Sequence, residues 1–195
     1  MPRPPSFDRN AALDAALKLF WRRGYTATSL PELLQAMDIA RSSFYASFID
    51  KRTLYLECLE LFGNRTRAIL VSAAAEDDEL GAIQQFFYQT ITGAPEHRLS
   101  CGCLMVNSIL ELADVDYGIK NCAQAKLDEI EIEFERLLHS AKQHGRLPGS
   151  HSSKTLARTL MTLNLGIRVE SRKRSNPVEL QHAIDTSLAL MGLAA

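Results

Sequence analysis

The sequence predicts an all-α fold: three short helices at the N-terminus, then about six longer ones. Apolar residues recur at three- and four-residue spacing along most of the chain, the pattern of amphipathic helices. There is no sustained period-2 alternation and no Asn-Gly or Asp-Gly hairpin signal. Gly, Pro and capping residues fall between the periodic runs, where helices stop and start.

Each element has its own justification. The first helix is expected over about Asp8 to Arg23, with Leu13, Ala16, Leu17 and Phe20 on one face and Gly24 as its stop. Ser29, Pro31 and Glu32 form a capping-box start for a second helix, about Leu30 to Ala36, with Leu33, Leu34 and Met37 as its apolar side. A third runs from near Ala40 to near Ser47. Asp50 can cap a fourth, carried by Leu54, Tyr55, Cys58, Leu59, Phe62, Ile69 and Leu70 to about Ala75. The acidic stretch Glu76 to Glu79 suits the first turn of a fifth helix, about Leu80 to Thr92, because the macrodipole favours negative charge there. Pro95 lies in the next loop, and Cys103 to Ala113 reads as a buried helix. A long amphipathic helix follows over about Gly118 to His144, ended by Gly145, Pro148 and Gly149. Two more close the chain, about Ser153 to Arg172 and Pro177 to Leu193.

Composition narrows the class. With 195 residues, 46% of them hydrophobic, one domain or two small ones can bury a core. No stretch approaches 18 consecutive apolar residues, so no membrane span is expected. The start, MPRPPSFDRN, has no apolar secretory region. Four cysteines without an export signal suggest reduced thiols in a cytoplasm. The net charge of −1 hides an asymmetry: residues 1–52 hold 8 Lys+Arg against 5 Asp+Glu, and the remainder is acidic. A basic N-terminal part on an acidic carrier points modestly to a polyanion.

Residues 28–52 sharpen this. Two short helices joined by a tight turn have helix-turn-helix geometry. At about 100° per residue, Phe44 and Phe48 share one side of the second helix, while Arg41, Ser42 and Tyr45 cluster on another. The aromatics can pack inward. The outward set suits DNA: Arg reaches guanine edges, Ser reads base or phosphate, and Tyr offers a ring and a hydroxyl.

Residues 8–55 resemble the DNA-binding domain of the tetracycline-repressor (TetR) family. The resemblance lies in Ala15-Ala16-Leu17-Lys18-Leu19-Phe20, Gly24-Tyr25-Thr26-Ala27-Thr28-Ser29-Leu30, Met37-Asp38-Ile39-Ala40-Arg41-Ser42-Ser43-Phe44-Tyr45 and Phe48-Ile49-Asp50-Lys51-Arg52-Thr53-Leu54. It implies a helix-turn-helix domain over residues 1–52 and a helical effector-binding and dimerisation domain over 53–195. It implies that Thr28 and the amide end that Ser29 caps bind phosphate, with backbone N–H groups free for an anion. It implies base reading by Arg41, Ser42 and Ser43, and phosphate contacts from Tyr45 and Lys51. Tyr25 is a weaker phosphate candidate, and Arg3 and Arg9 are candidates for a basic arm. Two positions depart from the family pattern. Asp38 replaces a usual Gly in the turn, and Ser47 stands where an aromatic or His often contacts phosphate.

The resemblance also implies a homodimer on a palindromic double-stranded operator and a small-molecule effector, with no cofactor. The dimer is expected through the last two helices, with Leu156, Leu160, Leu163 and Ile167 as one stripe and Ile184, Leu188 and Met191 as another. Candidate pocket residues are Phe86, Phe87, Leu104, Met105, Asn107, Leu163, Asn164 and Arg168, with Arg168 expected to point outward. Cys101-Gly102-Cys103, after Arg98, is weak as a metal site and better as a thiol sensor at a helix N-terminus; plain apolar packing is the commoner role of such cysteines. A rival of another class is a thiol-dependent enzyme pairing Cys103 with His97 or His139. No nucleophile motif, acid/base constellation or phosphate loop supports it.

Overall fold

In the computed structural model, which describes residues 7–95, 100–147, 151–173 and 176–194, all regular secondary structure among those residues is helical. The order is α1 (Arg9–Arg23), α2 (Leu30–Met37), α3 (Arg41–Phe48), α4 (Lys51–Glu76), α5 (Glu79–Phe87), a π-helical turn (Tyr88–Thr92), α6 (Leu104–Leu112), α7 (Tyr117–Gln143), α8 (Ser153–Ser171) and α9 (Pro177–Leu190). The all-α expectation is met. Arg3, His97, Arg98, Pro148 and Gly149 lie outside the described residues.

The caps explain the boundaries. Asp8 accepts from the Asn10 and Ala11 amides and starts α1, and Gly24, at φ 84°, ends it. Asp78 accepts from Leu80 and Gly81 and starts α5, as the acidic stretch suggests. Ser152 and Asn176 cap α8 and α9. The expected fifth helix to Thr92 changes character at Tyr88. There Thr90 Oγ1 donates to the Phe86 carbonyl, while the backbone ladder slips to the wider π spacing.

The chain gathers into two compact units. One comprises the chain up to Gly63 with Leu104–Lys126; the other comprises Asn64–Cys103 with Leu127 onward. In the first, Phe20, Leu33, Phe44, Phe48, Leu54, Tyr55 and Leu59 are fully buried. Each contributes about 1.5–3 kcal/mol by leaving water. Phe20 meets the Tyr55 ring edge-on at 4.7 Å, and the Tyr55 hydroxyl shares a 2.7 Å hydrogen bond with Ser108 Oγ. Burial pushes that phenol's pKa up.

In the second unit Phe86, Phe87 and Phe134 form an aromatic cluster, with Phe87 stacked on Phe134. Leu156, Leu160, Ile167, Ile184 and Leu188 are buried within the chain. The two leucine-isoleucine stripes expected at a dimer contact are therefore chiefly intrachain core: these five residues are spent on packing α8 and α9 into their own unit. Leu163 and Met191 are half-buried.

Candidate nucleic-acid interface

The helix-turn-helix is α2, a three-residue turn and α3. At the start of α2 the capping box is complete: Ser29 N–H and Oγ donate to Glu32 Oε2, and Glu32 N–H returns to Ser29 Oγ. Those bonds, then the Arg23 guanidinium, lower the Glu32 pKa to about 2. The turn rests on Asp38, whose φ of 52° and ψ of 48° are left-handed. Asp tolerates that region better than most non-glycine residues, so the substitution for Gly keeps the turn.

α3 presents the expected division. Phe44 and Phe48 are fully buried, Arg41 and Ser42 are exposed, and Tyr45 is 47% exposed. The Arg41 guanidinium lies 5.8 Å from the Tyr45 ring centre, one helical turn away. The N-cap is Ala40, which has no side-chain acceptor. The amides of Arg41, Ser42 and Ser43 therefore open outward at the positive end of the helix dipole. Ser43 is half-buried beside them.

The other expected contacts divide. Lys51, at the start of α4, stands with Nζ 4.3 Å from the Tyr25 ring centre. Burial lowers its pKa, against the pull of Glu111 and Glu32. Thr28 is fully buried, and its hydroxyl donates to Gly24 O at 2.7 Å. It shapes the loop and offers no hydroxyl outward. At this end of α2 the Thr28 N–H donates to Tyr25 O, Ser29 and Glu32 serve each other, and Pro31 has no N–H. Leu30 N–H is left as the amide without an acceptor among the described residues, so the anion-binding end expected there is largely occupied by Glu32. The more open helix end is that of α3. Ser47 is half-buried and its carbonyl accepts from Arg9. Arg9 is no free arm: Nη2 bonds both oxygens of Glu57, and the guanidinium covers the Phe48 ring at 4.5 Å.

Three acidic residues escaped the sequence reading. Glu111 accepts from the Tyr25 and Thr26 amides, Asp116 holds Arg52 at 2.6 and 3.0 Å, and Glu57 holds Arg9. Their partners lie 85 or 86, 64 and 48 residues away in sequence. No local pattern signals such pairs.

The effector candidates also separate. Phe87 and Asn164 are buried in the second unit, and so is Arg168, at 5% exposure. Arg168 was expected outward; it points inward because Asn164 Oδ1 and Thr90 O accept its hydrogens, at 3.2 and 3.3 Å. Cys103 is buried directly before α6 and Cys101 is half-buried. Met105 is buried on α6 and Asn107 is half-buried there. His139 is exposed and bonded to Gln143. No group of acidic, His or Cys side chains suited to a metal occurs among the described residues.

Known proteins share this architecture. The model of the tetR family of bacterial regulatory proteins matches residues 12–58. The HTH-type transcriptional repressor ComR of Escherichia coli K12 is 28% identical over 190 residues, 96% of this chain and 90% of that protein. The uncharacterized HTH-type regulator YezE of Bacillus subtilis 168 is 26% identical, over 98% of this chain and all of its own length. A cysteine-substituted mutant of the TetR family regulator CifR, solved with 26-base-pair operator DNA, superimposes with a TM-score of 0.82 at 26% identity. The match covers 96% of this chain and 98% of that one. With the motifs of residues 8–55 and the α2–α3 geometry, residues 12–58 match the tetR family of bacterial regulatory proteins, and the chain is similar over nearly its whole length to regulators of that kind.

Proposed function

We propose that this chain is an effector-responsive transcriptional repressor that binds a palindromic operator as a homodimer and leaves it when a small molecule binds. One observation carries this reading: α3 exposes Arg41, Ser42 and Tyr45 at an uncapped N-terminus while Phe44 and Phe48 fix it to the domain. One such helix reads too few base pairs, so specificity requires a second copy on a second half-site. The outward faces of α8 and α9 suit that contact. Thr162, Gly166 and Val169 on α8 remain at the surface, as do Val178, His182, Asp185 and Ala189 on α9. In functional terms residues 1–52 bind DNA and 53–195 bind effector and partner. No helix among the described residues is long and apolar enough to cross a membrane, which agrees with work on DNA in the cytoplasm. Effector binding shifts the equilibrium by its difference in affinity between the two states. An electrophoretic shift with DNA upstream of the protein's own gene tests the reading. A discrete complex is expected, lost in Arg41→Ala; failure to form any sequence-specific complex with genomic fragments sinks it.

Thiol sensing through Cys101 or Cys103 is a second reading. It is favoured by the placement of Cys103, near enough to the buried Arg168 for a charge interaction. Electrophile-induced release of DNA that is equal in wild type and Cys103→Ser would remove that thiol from the mechanism.

A further inference from the structure

Arg168 is the least expected charge in the second unit. It is 5% exposed on α8, and no carboxylate among the described residues lies within ion-pair distance. Burying a cation without a counter-charge costs several kcal/mol in effective terms, and here burial lowers the pKa of the guanidinium. Its two protein acceptors are neutral: Asn164 Oδ1 for Nε and the Thr90 carbonyl for Nη1. Guanidinium has five N–H donors, and Nη2 makes no hydrogen bond among the described residues. Nor is Nη2 sealed off. Every fully buried side-chain nitrogen or oxygen there has a partner, so Nη2 must keep part of the residue's small accessible area.

The surroundings are built to hold this group in place. The π-helical turn at Tyr88–Thr92 carries the Thr90 carbonyl that accepts from it. Asn164, itself 2% exposed, is steadied by a contact from Nδ2 to the Met161 sulfur. Gly102, at φ 67°, lies against Arg172 and the Arg168 backbone, where a Cβ would come within 2.9 Å of Arg172 Cδ. Neighbouring positions on the same elements, Phe86, Phe87, Ile91, Leu160 and Ile167, are buried and apolar.

We propose that Arg168 anchors the carboxylate of a monocarboxylate effector, with Nη2 as the donor kept for it. This rests on the effector-responsive reading above and names the chemical class of the effector. One guanidinium balances one negative charge, which favours a carboxylate over a doubly charged phosphate in apolar surroundings.

Calorimetric titration of the full chain with benzoate and octanoate, each against its neutral amide, tests the assignment. The wild type is expected to bind at least one carboxylate about tenfold or more tighter than its amide, and Arg168→Met to lose that preference. Arg168→Lys keeps the charge without the fork and is expected to keep part of it. Arg168→Met is expected to fold and to melt no lower than wild type without ligand, because it removes a buried charge that has no carboxylate partner among the described residues. Equal binding of acid and amide, binding of neither acid, or full retention of the preference in Arg168→Met overturns the proposal. So does a thiolate absorbance near neutral pH that disappears in Cys103→Ser, because Cys103 would then supply the counter-charge. The operator shift of the unliganded protein, run on the same preparations, tells failure of this site from failure of the regulator reading.

Discussion

Glu111 holds the backbone of Tyr25: its carboxylate accepts from the Tyr25 N–H at 3.0 Å and from the next amide, Thr26, at 2.6 Å. The loop between α1 and α2 is thus fixed by a residue of α6, within the same compact unit. Gly24 makes the grip possible. Its φ is 84°, and a Cβ there would lie 2.7 Å from Glu111 Oε2.

Glu111→Ala is expected to lower stability by about 1–2 kcal/mol, since it removes a charged acceptor shared by two amides, and to weaken operator binding because the Tyr25 ring on which Lys51 rests loses its fixed place. Glu111→Gln, which keeps an acceptor, should fall between. Gly24→Ala should also destabilise, through its positive φ and the clash. Denaturant titrations check all three. An unchanged midpoint in Glu111→Ala would show that water replaces the carboxylate without loss.

Ile49 joins α3 to α4 at φ 64° and ψ −65°, bracketed by a 2.7 Å hydrogen bond from the Asp50 N–H to the Phe48 carbonyl. That is the positive-φ γ-turn, rare and strained for a β-branched residue. Strain of about 1–3 kcal/mol is relieved in Ile49→Gly, against about 0.5–1 kcal/mol of glycine's entropic cost. Because the side chain is 68% exposed, little burial is lost. A net gain of about 1 kcal/mol is expected in chemical denaturation; a loss would mean the Ile49 side chain does more than sit at the surface.

The helices and the inward-outward division of α3 were legible in the sequence because both follow from local rules: Phe44 and Phe48 four residues apart, Ser29 three before Glu32, and Asp38 in a turn that needs left-handed geometry. The environment of Arg168 was not legible. Whether a basic residue on an amphipathic helix turns in or out depends on which element lies opposite, here the Thr90 carbonyl 78 residues away. The same holds for Glu111 and Asp116, and for Leu156 and Ile184. Apolar spacing marks those last two as buried without saying whether their own chain or a second copy covers them.

Acid should unfold the protein along a predictable course. Hydrogen bonds from Arg52 and the Ile119 amide lower the Asp116 pKa to about 2, and those from Ser140 and His144, with Arg146, lower that of Glu79 to about 2. In the unfolded chain both return to about 4. Their stabilisation is therefore complete above about pH 4.5 and is lost as pH falls toward 2. Thermal melts between pH 6 and 2 should drop most steeply in that window, less so at high salt. Asp116→Asn should flatten part of the drop; an identical pH profile in that variant would remove Asp116 from the acid response.

Sequence reading is assigned to α3. Fluorescence anisotropy on operator and scrambled duplexes over a salt series tests it most directly. Wild type should bind its operator about a thousandfold or more tighter than scrambled DNA, with affinity falling steeply as salt rises. Arg41→Ala should lose about 1–3 kcal/mol on the operator and much of the discrimination. Lys51→Ala should weaken both duplexes alike and reduce the salt slope by about one. If Arg41→Ala binds and discriminates as the wild type does, α3 is not the reading element.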